Sequence, residues 1–346
     1  MRGSHLTARL AIILALAGCV DATHERIHHP TRVNGPAPPL ATDLARNSPR
    51  PSLVLTPHAL GREGEHDTYS FTMPSSGDNG QAGNVVTGWY FQRGEAQAPL
   101  VIVVPIYGSS AYPSWSMSRF LASLPTPLGI NVVLIEAEND LTDWNGLRQA
   151  ATEEAWRTTI AESTARYRTA AEDVRRIVDW AVTRPTTDPT RIGIVGFSLS
   201  ATIAAVAMAE DSRLSAGAFL MGGAHLHEVF AFCREAQVSR VRELIMTRFG
   251  WSLDTFKSKI RPVSDAINPA LMPNVNGDRH TLYVEATVDD CIPKRSRDGL
   301  RDMLTPSEEI RLGYRHWPAF LLGMTPLGLH YLERAVVRFF VDAFGL

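Results

Sequence analysis

Cysteine is scarce, with three in 346 residues. That is too few for a disulfide scaffold or a four-ligand zinc site. Charge of one sign is lacking as well: 34 Lys+Arg stand against 36 Asp+Glu, a net of −2. No segment forms a basic stripe, so no nucleic-acid partner is expected. Aromatics make up only 8%, and the 22 prolines push the whole chain neither toward disorder nor toward collagen. What remains is an ordinary globular composition, 45% apolar and 20% charged, enough for one large α/β domain or two small ones.

The first residues form an address label. Arg2 and Arg9 give a positive start, and Leu10 to Ala17 form an apolar run too short to span a bilayer. The run ends in Leu16-Ala17-Gly18-Cys19, which resembles the lipobox of bacterial lipoproteins. The resemblance implies a signal peptide over 1–18 and acylation of Cys19 as the first mature residue; the other reading is an ordinary secretory signal. Several acyl chains on one cysteine would anchor stably where one chain would not. The protein is then expected to be exported to an oxidising compartment as a cell-envelope lipoprotein. Val20 follows the cysteine, with no aspartate-type retention signal, so the periplasmic face of the outer membrane is the expected site. Residues 19–52 read as a tether, with Pro30, Pro36, Pro38, Pro39, Pro49 and Pro51 resisting regular structure. His24, His28 and His29 in it read as a solvated cluster, with a metal tract as the alternative.

Residues 53–346 read as the folded domain. Val85–Phe91 reads as a strand, and Leu100–Val104 and Asn131–Ile135 are apolar runs of the kind buried on both faces of a sheet. Tyr167, Ala170, Ala171, Val174, Ile177, Val178 and Ala181 mark one helix face. Arg191–Gly196 is a further strand, and Ala201–Ala209 a buried helix of small residues. Ala216–Met221, Thr281–Glu285 and Ile310–Tyr314 complete the strand candidates. Strand alternating with helix predicts a mostly parallel sheet with helices on both faces. Residues 224–270 break the rhythm and predict a helical cap inserted between two strands.

Gly196-Phe197-Ser198-Leu199-Ser200 follows one of these strands and precedes a helix. That is the context of the G-x-S-x-G nucleophile elbow, in which a sharp turn lifts a serine above the sheet edge. Small residues are needed two positions before and after it, where backbones crowd; Ser200 stands where a second glycine is usual. The alternative is a serine that only caps the following helix. From about residue 84 to the C-terminus, apart from 224–270, the chain resembles the α/β-hydrolase family, which implies a Ser, acid, His order along the chain. Ala286-Thr287-Val288-Asp289-Asp290-Cys291-Ile292-Pro293 is similar to that family's G-x-x-D-x-x-V-P stretch and selects Asp289, with Asp290 as the rival. The histidine should follow the next strand, which selects His316; His330, placed on the polar face of a final helix beginning at Thr325-Pro326, is the competitor. Pro105-Ile106-Tyr107-Gly108 resembles the family's H-G-x-G. It implies an oxyanion hole built from the N–H groups of Tyr107 and of Leu199, the residue after the nucleophile.

In this reading Ser198 is the nucleophile, His316 its base and Asp289 the group that orients the imidazole. The implied activity is hydrolysis of a carboxylic ester through an acyl-enzyme, with a small-molecule ester as substrate and no metal or organic cofactor. Fold does not fix substrate, so a peptidase, thioesterase, acyltransferase or non-catalytic scaffold remain alternatives. His225 and His227 read as cap or loop residues rather than metal ligands, for want of a third ligand. Glu136 and Glu138 read as solvated or as pocket-lining. Cys233 and Cys291, the two cysteines of the body, either form a disulfide across the cap or stay free.

Overall fold

The structure, a computed structural model, describes residues 20–27, 54–57, 66–76, 85–107, 112–125, 128–136, 140–275 and 279–346. The signal segment 1–18, Cys19, His28, His29, Glu138 and the prolines at 30–51 lie outside the described residues. Ten strands form one sheet: β1 (Ala22–Arg26), β2 (Val54–Pro57), β3 (Asp67–Pro74), β4 (Val85–Gln92), β5 (Ala98–Val103), β6 (Asn131–Ile135), β7 (Thr187–Phe197), β8 (Leu214–Leu220), β9 (His280–Ala286) and β10 (Glu308–Leu312). Their order is β1-β10-β9-β8-β7-β5-β6-β4-β3-β2. Strands β6, β5, β7, β8, β9 and β10 run parallel, and antiparallel pairing is confined to the two flanks.

Alternation along the central strands splits the core. Leu100, Ile102, Ile192 and Ile194 face one layer, built on α3 (Glu153–Ala181) and α4 (Leu199–Glu210). Val101, Val103, Val195 and Phe197 face the other, covered by α1 (Tyr112–Ala122), α9 (His316–Gly323) and α10 (Tyr331–Phe344). Both faces of the middle strands are thus apolar, as the uninterrupted Val/Ile runs require. Truncating any of these side chains to alanine would cost about 2–5 kcal/mol.

Residues 224–270 form the expected helical insertion between β8 and β9: α5 (Leu226–Phe232), α6 (Ala236–Phe249), α7 (Leu253–Ser264) and two 3₁₀ turns. They carry their own small core of Val241, Ile245, Phe256 and Ile260, which packs on Trp156 and Ile160 of α3 and on Leu147 of α2 (Trp144–Gln149). Lys259 Nζ bonds Glu153 Oε2 at 2.9 Å and ties α7 to the start of α3.

Two expectations need correction. Residues 22–26 are not tether but strand β1, paired antiparallel with β10. Its His24 is not merely solvated, since Nε2 bonds Glu308 Oε2 at 2.9 Å. The sequence ATHER has no apolar period; it is a strand because β10 offers an open edge. The final helix also starts later than expected. Thr325-Pro326 opens only a 3₁₀ turn over Pro326–Gly328, and α10 begins at Tyr331 after Leu329 and His330, both left-handed (φ 53°). His330 therefore precedes the helix instead of lining its polar face, and its Nδ1 bonds Glu333 Oε1 at 3.0 Å. Among the described residues, no helix is long and apolar enough to cross a membrane.

Candidate active site

The carboxyl ends of parallel strands are where α/β sheets place their ligand sites. Ser198 follows β7 there, at φ 51° and ψ −121°. A left-handed φ on a serine is strained and persists only where its surroundings impose it. They do so here. A Cβ on Gly196 would stand 2.4 Å from the Ser200 carbonyl oxygen and 2.7 Å from Ala201 Cα, so this position admits glycine only. Ser200 is buried, and its hydroxyl accepts from Phe197 N–H at 2.8 Å and reaches Phe197 O at 2.9 Å and Val104 O at 3.2 Å. The residue that departs from the usual second glycine thus laces the elbow to the end of β5.

Around Ser198 the structure brings together two of the predicted partners. His316, the first residue of α9, has Nε2 at 3.0 Å from Ser198 Oγ and Nδ1 at 2.8 Å from Asp289 Oδ2. Both side chains are almost completely buried, at 3% and 0% exposure. Asp289 is held by the turn after β9: the N–H groups of Cys291 and Ile292 both donate to its Oδ1 at 2.7 Å. The rival Asp290 has its carboxylate 3.9 Å from Arg315 and its backbone carbonyl taken by Arg234 N–H.

Arg297, on α8 (Lys294–Leu304), fixes the same turn from below. It donates to Ile292 O at 2.7 Å and Thr287 O at 3.3 Å, and its Nε lies 3.3 Å from Glu285 Oε2. From above, Cys233 at the end of α5 is joined by a disulfide to Cys291, so the pair left open by the sequence is bridged.

Ser198 and His316 open onto a cavity of about 520 Å³, also lined by Leu199, Tyr107, Trp144, Tyr167, Phe230 and Trp317. Leu199 and Tyr107, the two expected anion-hole residues, are therefore both at the cavity, whereas Gly108–Ser110 lie outside the described residues. Ile106 N–H is already taken by Ser114 Oγ at 3.3 Å. Burial raises the Tyr107 phenol well above its ordinary range, as does the Asp173 carboxylate, so it stays protonated. Burial likewise raises the cavity carboxyl of Asp140, although Thr142 N–H donates to it at 3.0 Å. Trp317 bonds Glu235 of the cap through its indole N–H.

His225 and His227 stand at the start of the cap. The first meets Asn268 Nδ2 through Nδ1 at 3.2 Å, and the second lies 3.7 Å from Glu228. Neither belongs to a group of potential metal ligands among the described residues. Glu136 accepts from Trp89 Nε1 at 2.6 Å and does not line the cavity. Asp140, Trp317 and Arg297 were not legible as site residues. No spacing marks them, although Trp317 directly follows His316.

No protein-family sequence model matches the chain, and no curated protein matches it in sequence. Solved structures do match in shape. An acetyl xylan esterase from Paenibacillus sp. R4 superposes with a TM-score of 0.63 at 16% identity, covering 86% of this chain and 90% of that one. Acetyl xylan esterase 1 from Thermoanaerobacterium sp. JW/SL YS485 gives 0.60 at 12%, covering 85% and 88%. A Pyrobaculum calidifontis esterase gives 0.51 at 14%, covering 80% and 86%. The chain has the α/β-hydrolase fold. At such identities the match speaks for the fold alone. Within that fold, Ser198 follows one parallel strand, Asp289 the second beyond it in sheet order and His316 the third.

Proposed function

We propose that this protein is a serine hydrolase that cleaves carboxylic esters through an acyl-enzyme on Ser198. The observation that carries the reading is the hydrogen-bonded chain Ser198 Oγ, His316 Nε2, His316 Nδ1, Asp289 Oδ2, at 3.0 and 2.8 Å. As Ser198 Oγ attacks the ester carbonyl, its proton passes to His316 Nε2. Asp289 holds the tautomer that leaves Nε2 free to accept, and stabilises the imidazolium formed. The N–H groups of Leu199 and Tyr107 receive the oxyanion. The imidazolium then protonates the departing alcohol, and water repeats the sequence to release the acid and restore Ser198. The three structural neighbours are named as esterases, which agrees with an ester as the bond broken.

A fluorophosphonate probe tests this. Wild-type protein should be labelled on the peptide holding Ser198, and Ser198→Ala and His316→Ala should not. Equal, weak labelling of all three would remove the hydrolase reading and leave a scaffold.

The Leu16-to-Cys19 segment supports a second part of the proposal: export, loss of residues 1–18 and acylation of Cys19, giving a cell-envelope lipoprotein of the outer membrane. Mass spectrometry of the mature N-terminal peptide should find Cys19 acylated, and Cys19→Ala should release the protein from membranes.

A further inference from the structure

Eleven large apolar side chains are exposed among the described residues. Four of them fall in residues 317–329: Trp317 at 44%, Leu321 at 56%, Leu327 at 47% and Leu329 at 51%. Trp317 and Leu321 stand four apart on α9 and so share one face. The turn carrying Leu327 and Leu329 folds back on that helix: Thr325 Oγ1 donates to Leu321 O at 2.5 Å, and a Cβ on Gly328 would collide with the Leu322 carbonyl. These contacts hold the turn that carries Leu327 and Leu329 against the helix that carries Trp317 and Leu321, so the patch comprises neighbouring segments of chain. Leu329 is presented to solvent from a left-handed backbone, at φ 53°, a conformation a leucine adopts only under constraint.

The same patch is where the described chain begins. Val20 packs on the cluster that contains Phe320 and Met324, and its Cγ2 lies 3.3 Å from where a Cβ on Gly328 would sit. Asp21 is fixed at once: its N–H donates to Tyr314 Oη at 2.8 Å, and its carbonyl accepts from Gly313 N–H at 2.9 Å. Strand β1 follows. No slack separates residue 20 from the sheet, and in the sequence Cys19 directly precedes it.

A lipid attached flush with the body, rather than through a tether, must bring one face of that body onto the membrane. The face at hand is apolar and includes an indole, the ring that favours the lipid–water boundary. We infer that the face formed by Trp317, Leu321, Leu327 and Leu329 rests on the lipid surface into which the acyl chains of Cys19 insert. The inference builds on the proposed acylation. Trp317 also borders the cavity of Ser198, so the proposed lipid-facing surface adjoins that cavity.

The test uses the full-length acylated protein in vesicles of phosphatidylethanolamine and phosphatidylglycerol containing brominated phosphatidylcholine. Bromine should quench tryptophan fluorescence in the wild type, and Trp317→Phe should remove that quenching although six of the seven tryptophans remain. In the Cys19→Ala background, Leu327→Glu with Leu329→Glu should weaken residual vesicle binding about tenfold or more. Quenching that survives Trp317→Phe, or vesicle binding indifferent to both glutamates, overturns the inference while leaving acylation intact. So does a Cys19→Ala dimer that the glutamates dissociate, which would give the face to a second copy. An unmodified Cys19 in the mature protein overturns the acylation reading instead, and fluorophosphonate labelling of Ser198 reports on the hydrolase reading independently of both.

Discussion

Cys291 is bonded in two directions: its backbone N–H donates to Asp289 Oδ1 at 2.7 Å, and its sulfur is bridged to Cys233 of the cap. One residue thus fastens the carboxylate that faces His316 to the helices that roof the cavity. The bridge closes a sequence separation of 58 residues, for which the chain-entropy model gives about 4 kcal/mol of stabilisation. Reduction, or Cys233→Ser with Cys291→Ser, should lower the urea midpoint accordingly and reduce ester turnover. In Cys19→Ala protein, denatured without reductant, thiol titration should find no free thiol. Two reactive thiols, or unchanged midpoints after reduction, would show that the bridge is absent or idle.

Asp289 and Asp290 are neighbours with different expected fates. Asp289→Asn would leave the turn in place but remove the charge that stabilises the imidazolium and allow the wrong tautomer, a change worth about 10⁴ in kcat in triads of this geometry. Asp290 contributes only a 3.9 Å pairing with exposed Arg315, a type of contact worth about 0–1 kcal/mol, so Asp290→Asn should stay within a few-fold of wild type. Steady-state rates on one activated ester would decide, and equal losses in the two variants would place the acid elsewhere.

Arg297 acts on the same turn as a positioning residue. Its guanidinium spans the carbonyls of Thr287 and Ile292, which bracket Asp289, and lysine cannot make both bonds from one fork. Arg297→Lys should let the turn drift and lower kcat by about 10- to 100-fold with little change in KM, because this side chain does not line the cavity. A rise in KM at constant kcat would contradict that role.

Much of this was readable from residue order, and the exceptions share a cause. The central strands announce themselves because burial on both faces demands uninterrupted Val and Ile, as in Asn131–Ile135. Ser198, Asp289 and His316 could be selected because each sits at a fixed place relative to such a strand. Strand β1 could not, since Ala22–Arg26 is mostly exposed and owes its shape to β10. The start of α10 lies later than the sequence predicts because Thr325-Pro326 is a true start signal for one 3₁₀ turn only, and the left-handed Leu329 and His330 that interrupt it leave no mark in composition. Ser200 was a puzzle in sequence because its value lies in three hydrogen bonds made across the elbow.

The cap should loosen in acid. Burial, the largest cause, holds both the His225 and His227 imidazoles below their ordinary pKa; the nearby Arg295 and Arg261 act in the same direction on His225, as His225 and Arg261 do on His227, against Glu228 and Asp265. His227 Nδ1 is buried without a hydrogen-bond partner. Above about pH 6.5 these rings are neutral in both folded and unfolded chains and cost nothing. As pH falls below that value the unfolded chain gains protons that the folded chain refuses, so stability declines until the folded-state values are passed. Urea midpoints should therefore drop between pH 7 and 5, and drop less in His225→Gln with His227→Gln. An equal drop in the double variant would assign the acid sensitivity to other groups.

The charge of the cavity sets a last expectation. Its described lining holds two carboxylates besides the serine, histidine and aromatic groups, Asp140 and Glu235, and neither lysine nor arginine; Asp289 stands directly behind His316. A substrate bearing its own carboxylate would have to shed water against like charge with no lysine or arginine in the described lining to meet it, Arg166 acting on Asp140 from outside that lining. At about 8 Å and an effective dielectric near 20, one such repulsion amounts to about 2 kcal/mol, or about 30-fold in kcat/KM. p-Nitrophenyl succinate should accordingly be cleaved at least that much less efficiently than p-nitrophenyl butyrate, which has the same chain length without the charge. Asp140→Asn with Glu235→Gln should narrow the gap, and added salt should narrow it in part, because half-buried charges are partly screened. Equal efficiency on the two esters, or a gap that the double variant leaves unchanged, would mean that these carboxylates do not face the bound substrate.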